Sequence, residues 1–103
     1  MERKKDPRII AFADNLRVDY PDAKVFLFGS RSGKDFLEDS DYDVIVVSGL
    51  FDNVNFFKRT EKMYKYWAKN IALDVFCYTP EEFEEKKKKI GFLQEALKNS
   101  VPA

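Results

Sequence analysis

The stretch Leu27–Arg31 (LFGSR) is followed, ten residues after Ser30, by Ser40–Val47 (SDYDVIVV). The first stretch reads as an apolar strand that ends in a Gly-Ser turn, and the second as a strand opened by two alternating acids. Side chains two residues apart on a strand share a face, so Asp41 and Asp43 lie on one side of it. Two carboxylates held together repel each other, and a divalent cation such as Mg²⁺ relieves that repulsion. The two stretches therefore predict a site for a metal-bound nucleoside triphosphate.

A third acid strengthens this prediction. Asp74 is the one charged residue in the strand-like run Ile71–Tyr78 (IALDVFCY). If this run lies beside the strand that carries Asp43, three carboxylates meet and can hold two Mg²⁺ ions roughly 3.5–4 Å apart. Because the chain contains no His, a carboxylate or water must accept any proton near neutral pH. Asp74 is then a metal ligand and the general base for an acceptor hydroxyl, and the alternative is an acid that merely faces water from an edge strand.

The phosphate side of the predicted site consists of Gly29, Ser30, Arg31 and Lys34. Gly lets the backbone approach a ligand closely, and the Ser N–H and hydroxyl favour anions where a helical turn begins. Arg can fork onto phosphate oxygens, whereas Lys acts as a point charge. Each of these residues alone is an ordinary feature of a surface turn, but their coincidence with the three acids favours a binding site.

This set of residues resembles the signature of the minimal nucleotidyltransferases of the DNA polymerase β-like superfamily, which is a Gly-Ser turn, an Asp-x-Asp pair and a later single Asp. The matching positions are, in order, Gly29, Ser30, Asp41, Asp43 and Asp74. The resemblance implies two Mg²⁺ ions, a nucleoside triphosphate donor expected to be ATP, and transfer of a nucleoside monophosphate to a hydroxyl. The chain departs from the common Gly-Ser-x-x-x-Gly pattern at Lys34, which leaves the roles of Arg31 and Lys34 open.

Similar minimal nucleotidyltransferases are often paired with HEPN-domain proteins as toxin–antitoxin modules, and some of them transfer AMP to the toxin. By analogy, the resemblance implies a HEPN-type partner and an antitoxin role. A homodimer is the other expected source of an acceptor site, since 103 residues leave no room for a second domain. Two further functions stay open: a non-catalytic antitoxin module that binds a nucleotide or partner, and a transferase that acts on a small hydroxyl compound.

The composition limits the other classes. Acids and bases balance at 18 each, so the net charge is zero and a nucleic-acid partner is not expected. The single cysteine, Cys77, excludes an intrachain disulfide and is expected to be a buried apolar residue. Neither a membrane span nor a secretory signal is recognisable, so we expect a cytoplasmic protein without membrane contact. The length predicts one domain, residues 1–103, which the resemblance implies is a nucleotidyltransferase domain.

Alternating apolar patterns predict an α+β fold, a two-layer α/β arrangement with a sheet of about three strands and helices packed against it. The resemblance implies that the sheet is mixed, as in the polymerase β-like nucleotidyltransferase fold. Thr79, Pro80 and Glu82 predict a capping box at the start of a helix. A helix over about 53–69 is expected to bury one face, formed by Phe57, Thr60, Tyr64 and Trp67.

Overall fold

The computed structural model describes residues 6–29, 41–67, 71–98 and 100–103, and these contain four α-helices and four β-strands. The elements are, in chain order, α1 Pro7–Asp19, β1 Lys24–Phe28, β2 Tyr42–Val47, α2 Phe56–Met63, β3 Leu73–Tyr78, α3 Pro80–Lys87, α4 Phe92–Lys98 and β4 Val101–Pro102. Two short 3-10 turns, Gly49–Phe51 and Tyr64–Tyr66, lie before and after α2. The alternation of helices and strands is the one that the sequence predicts.

The four strands form one mixed sheet in the order β3-β2-β1-β4. Strand β1 is antiparallel to both β2 and β4, whereas β2 and β3 are parallel, so the expected mixed sheet is confirmed. The prediction of about three strands missed β4, in which Val101 pairs with Leu27. This strand has only two residues, too few for a sequence pattern, and it exists because β1 offers it a free edge. Pro102 is tolerated there because an edge strand needs hydrogen bonds on one side only.

The predicted fold, a mixed sheet with helices packed against it, is confirmed, and the helices cover both faces of the sheet. One apolar cluster joins the sheet to α1 and α2, and the other joins it to α3 and α4. The physical reason lies in β2, whose residues Val44 to Val47 are all buried and therefore present apolar side chains to both faces. The second cluster contains, from the sheet and both C-terminal helices, Phe28, Ile45, Val47, Tyr78, Phe83 and Leu93.

The helix starts follow local capping rules. Asp6 precedes α1 and its carboxylate accepts a hydrogen bond from the Arg8 N–H, while Pro7 occupies the first helical position. Helix α3 begins with the predicted capping box: the Glu82 N–H donates to the Thr79 hydroxyl, and the Thr79 N–H donates to the Glu82 carboxylate. Both starts depend on residues within four positions of each other, and so they could be predicted from the sequence.

The predicted buried face of the helix over about 53–69 is wrong at Phe57 and Tyr64, whereas Trp67 is partly buried and packs against the core. Phe57 is 78% exposed and Tyr64 43% exposed, whereas Met63 is completely buried and Arg59 nearly so. The guanidinium of Arg59 forms a 2.6 Å ion pair with Glu82 of α3. This pairing allows a charged residue to face the sheet and turns the aromatic residue Phe57 outward.

Cys77 is fully buried in β3, which confirms the prediction of an apolar core residue. Burial raises the pKa of its thiol to about 12, so it stays protonated at neutral pH. Across the described ranges, no helix combines the length and the apolar character that crossing a bilayer requires.

Candidate active site

Two of the three predicted acids lie directly opposite each other. In the parallel pairing of β2 with β3, Asp43 is the register partner of Asp74. Both side chains therefore stand on the same face of the sheet, the one covered further along by α3 and α4. Asp43 is half-buried and Asp74 is exposed, because β3 is the edge strand of the sheet. The sequence predicts that Asp43 and Asp74 lie together only if their strands are neighbours, and β2 and β3 are neighbours in the sheet.

The environment of Asp43 disfavours its negative charge. Burial raises the pKa of this carboxyl group, and the charge of Asp74, a hydrogen bond with Asp74 and the charge of Asp41 raise it further. A proton relieves this repulsion at low pH, and a bound cation relieves it at neutral pH. The pair is therefore electrostatically prepared for a positive ligand.

Gly29 closes one side of the pair. It follows β1 directly and has φ of 74°, a conformation that residues with a Cβ atom rarely adopt. A Cβ atom at this position would lie 2.5 Å from Oδ2 of Asp43. Phe28, the preceding residue, is the register partner of Asp43 across the antiparallel β1–β2 pairing. Gly29 thus lies against Asp43, at the point where β1 ends.

Asp41 occupies a more peripheral position. It is exposed and precedes the first residue of β2, and its charge acts on Asp43. Tyr42, between the two acids, is buried on the opposite face, where its hydroxyl donates to Asp6 (2.7 Å) and accepts from Arg8 (3.1 Å). This anchor holds Tyr42 on the face opposite Asp43.

Among residues 6–29, 41–67, 71–98 and 100–103, no three acidic or cysteine side chains form a group that could hold a metal ion. The structure thus brings Asp43 and Asp74 together, and the three-carboxylate metal site that adds Asp41 stays a prediction. The predicted phosphate ligands Ser30, Arg31 and Lys34 lie outside the described residues. The donor set of the pair fits Mg²⁺, which prefers carboxylate oxygens from one or two acids and completes its shell with water and phosphate.

Strand β3, which carries Asp74, is held from its outer edge by side chains of α2 and the turn that follows it. Every second carbonyl along this edge accepts a hydrogen bond from one side chain. The four bonds are Trp67 Nε1 to Ile71 O (2.9 Å), Tyr64 Oη to Leu73 O (2.9 Å), Thr60 Oγ1 to Val75 O (3.2 Å) and Arg59 Nη1 to Cys77 O (3.3 Å). Two of them flank Asp74, so α2 and the turn after it fix the backbone on both sides of this acid.

Sequence reasoning missed the aromatic residues around the pair. Phe28 and Phe76 contact each other on the acid face of the sheet, and Phe92 of α4 contacts both. Side chains two residues apart on a strand share a face, so the sequence alone could have placed Phe76 on the same side of β3 as Asp74. No comparable signal marks Phe92, because its position depends on how α4 packs on the sheet.

Comparison with known proteins assigns this arrangement to a class. The model of the nucleotidyltransferase domain family matches residues 9–102, and the chain belongs to that family. It is therefore an enzyme of the nucleotidyltransferase type, with a nucleoside triphosphate as the class of donor. The fold is also similar to a crystal structure from Sulfolobus solfataricus provisionally identified as a nucleotidyltransferase. That likeness has a TM-score of 0.55 and 21% identity, covers 99% of this chain and 90% of the other, and concerns the fold alone. No curated protein sequence matches the chain significantly.

Proposed function

We propose that the protein transfers a nucleoside monophosphate from ATP to a hydroxyl group in a reaction that depends on Mg²⁺. The observation that carries the proposal is the direct opposition of Asp43 and Asp74 beside Gly29. Two carboxylates that share one face, with the pKa of Asp43 raised by burial and by the charge of Asp74, have an evident use when cations bind between them. A binding module without turnover has no comparable need for such a destabilising pair.

In this mechanism Asp43 and Asp74 would hold the metal, and Asp41, directly before β2, would add a third carboxylate. When bound, Mg²⁺ would supply positive charge to the phosphates of the donor. The acceptor oxygen forms a bond to the α-phosphorus while the bond to the β-phosphate oxygen breaks, and pyrophosphate leaves. Asp74, the exposed member of the pair, accepts the proton of the acceptor hydroxyl.

The phosphate oxygens of the donor are assigned to the turn after β1. Gly29 and Ser30 would bind them through backbone N–H groups and the Ser hydroxyl, with Arg31 and Lys34 as additional cations. The positive φ of Gly29 supports this assignment, because it lets the backbone of the turn approach the acids closely.

For the biological setting we propose a HEPN-type partner protein as the acceptor, with the present chain as the antitoxin of a two-component module. The catalytic unit is residues 1–103, acting as one domain, and a second protein or a second copy of this chain supplies the surface that binds the acceptor. The resemblance of the motif residues to minimal nucleotidyltransferases is the basis of this part of the proposal. A small hydroxyl compound is the competing acceptor.

The test is incubation with α-labelled ATP, Mg²⁺ and a candidate HEPN protein. Wild type is compared with Asp43→Asn and Asp74→Asn, and Asp14→Asn serves as a matched control because Asp14 is an exposed acid on α1. We expect label on the partner with wild type and with the control, and at least a hundredfold less with either site variant.

The alternatives give different results. Tight binding of the partner without label, unaffected by Asp43→Asn, would support an antitoxin that acts by masking its target. Label released into a small-molecule product, with none on protein, would support a transferase that acts on a small hydroxyl compound. Label on the partner in the presence of both site variants would refute the catalytic roles proposed for these acids.

A further inference from the structure

Three phenylalanine rings form a cluster on the acid face of the sheet. The ring centroids of Phe28 and Phe76 are 6.0 Å apart, and the Phe92 ring lies 5.5 Å from the first and 4.9 Å from the second. Phe28 is 8% exposed and Phe76 is partly buried, whereas Phe92 is 50% exposed. Phe92 is therefore the outer member of the cluster and presents ring surface to solvent.

The cluster lies next to the carboxylate pair. Phe28 is the register partner of Asp43, and Phe76 follows Asp74 by two residues, which places it about 7 Å further along the same face. Helix α4 holds Phe92 over both rings, anchored to the sheet by the buried side chain of Leu93. A ligand whose phosphates reach the acids through bound Mg²⁺ can therefore extend along the face toward Phe92.

We propose that the exposed ring of Phe92 is the platform on which the base of the donor nucleotide stacks. The inference rests on the proposed function, since it takes the phosphates of the same nucleotide to reach Asp43 and Asp74 through bound Mg²⁺. Aromatic side chains are effective platforms for nucleobases because every base has a π-face. An exposed aromatic ring near a carboxylate pair that binds cations also has a clear use when a single ligand brings both a planar ring and metal-bound phosphates.

The chemistry of the cluster further indicates how bases are selected. Phenylalanine has no hydrogen-bonding group on its side chain, so the platform recognises the area of a ring rather than its polar edge. We therefore expect ATP and GTP to bind about equally and both to bind more tightly than CTP and UTP, because a purine covers more of the ring.

Equilibrium binding of the α,β-methylene analogue of ATP with Mg²⁺ tests the platform without requiring turnover. For Phe92→Leu, which keeps apolar bulk but removes the ring, we expect about a tenfold loss of affinity. Phe92→Tyr keeps the ring and is expected to bind like wild type. Ile90→Ala is the matched control, because Ile90 is 93% exposed and lies two residues away.

Inorganic tripolyphosphate separates stacking from general damage to the site. Its affinity is expected to be the same for wild type and Phe92→Leu, since it has no base. A nuclear Overhauser contact between adenine H2 or H8 and the Phe92 ring protons would show stacking directly. Equal losses for tripolyphosphate and the ATP analogue would overturn the inference, as would an unchanged affinity for the analogue.

The outcomes also separate this inference from the proposed function. Nucleotide binding that is sensitive to Phe92→Leu, in a protein that transfers no label, supports the platform and refutes the transfer. If label is transferred but Phe92→Leu binds the nucleotide as tightly as wild type, the platform is refuted and the proposed function is not. If Phe92→Leu raises only the KM for the protein acceptor, the ring contacts the acceptor and the nucleobase assignment is wrong. Absence of any nucleoside triphosphate binding by wild type refutes both.

Discussion

Gly29 lies so close to Asp43 that a Cβ atom on the glycine would approach Oδ2 of the acid to 2.5 Å. Gly29 also has φ of 74°, which an alanine rarely adopts. The substitution Gly29→Ala therefore has two effects: it strains the backbone and it displaces the Asp43 carboxylate. We expect the variant to lose about 1–3 kcal/mol of unfolding free energy. Its nucleotidyl transfer should fall at least a hundredfold, because a small misplacement of a catalytic group has an effect of this size. Urea unfolding and the labelled-ATP assay measure the two effects.

Gly91→Ala is the control for this substitution. Gly91 lies between α3 and α4, and among the described residues no atom lies within 4 Å of a Cβ atom at this position. We expect its stability to stay within about 0.5 kcal/mol of wild type and its activity to be unchanged. Equal losses in the two variants would mean that the effect at Gly29 is a general effect of removing glycine.

Asp43 destabilises the folded protein when no cation is bound, because burial and the neighbouring acids raise its pKa. For a carboxyl group with a raised pKa, stability is lost as the pH rises through that pKa. Asp43→Asn is therefore expected to have a higher Tm than wild type at pH 7 in the presence of a chelator. Adding Mg²⁺ should raise the Tm of wild type and leave that of the variant unchanged. Differential scanning calorimetry with Asp14→Asn as control measures both, and a lower Tm for Asp43→Asn would contradict the prediction.

Much of the site could be predicted because its signals are local. The Gly-Ser turn, the alternation around Tyr42 and the lone acid Asp74 are each visible within a few residues. The adjacency of β2 and β3 is a tertiary fact, but two apolar runs of this kind have few other ways to share a small sheet. The family resemblance implied a mixed sheet, but the parallel direction of this particular pair is known only from the structure.

The errors arose where distant residues decide the structure. Periodicity alone made Phe57 a core residue, yet the ion pair of Arg59 with Glu82, 23 residues later in the sequence, turns the helix the other way. The strand β4 likewise depends on pairing with β1, more than 70 residues earlier. Neither contact leaves a trace in the neighbouring sequence, so propensity and pattern could not have found them.

Tyr64, in the turn directly after α2, donates a 2.9 Å hydrogen bond to the Leu73 carbonyl beside Asp74. Tyr64→Phe removes the donor and is expected to reduce the unfolding free energy by about 1 kcal/mol. Because the bond fixes the strand next to Asp74, kcat should fall several-fold while the affinity for nucleotide stays the same. Tyr66→Phe is the matched control, since its hydroxyl donates to Asp19 on an exposed surface. Faster amide exchange along β3 in Tyr64→Phe alone would support the role, and identical kcat values for both variants would refute it.

The ion pair of Arg59 with Glu82 gives the fold a dependence on pH. A hydrogen bond from Arg59 is the main cause that lowers the pKa of Glu82 below its ordinary value of 4.5, and a bond from the Thr79 N–H lowers it further. For a carboxyl group with a lowered pKa, the stabilisation is complete above the unfolded value and is lost as the pH falls through the folded value. Glu82→Gln should therefore be less stable than wild type at pH 7.

We expect a difference of about 1–2 kcal/mol, reduced by solvent screening because the Glu82 side chain is 41% exposed. Urea unfolding from pH 7 to pH 3 should show this difference shrinking as the pH falls below 4.5. Glu81→Gln, which changes an exposed acid in the same helical turn, should differ from wild type by less than about 0.5 kcal/mol throughout. A difference for Glu82→Gln that stays constant down to pH 3 would show that lost packing, and not lost charge, is responsible.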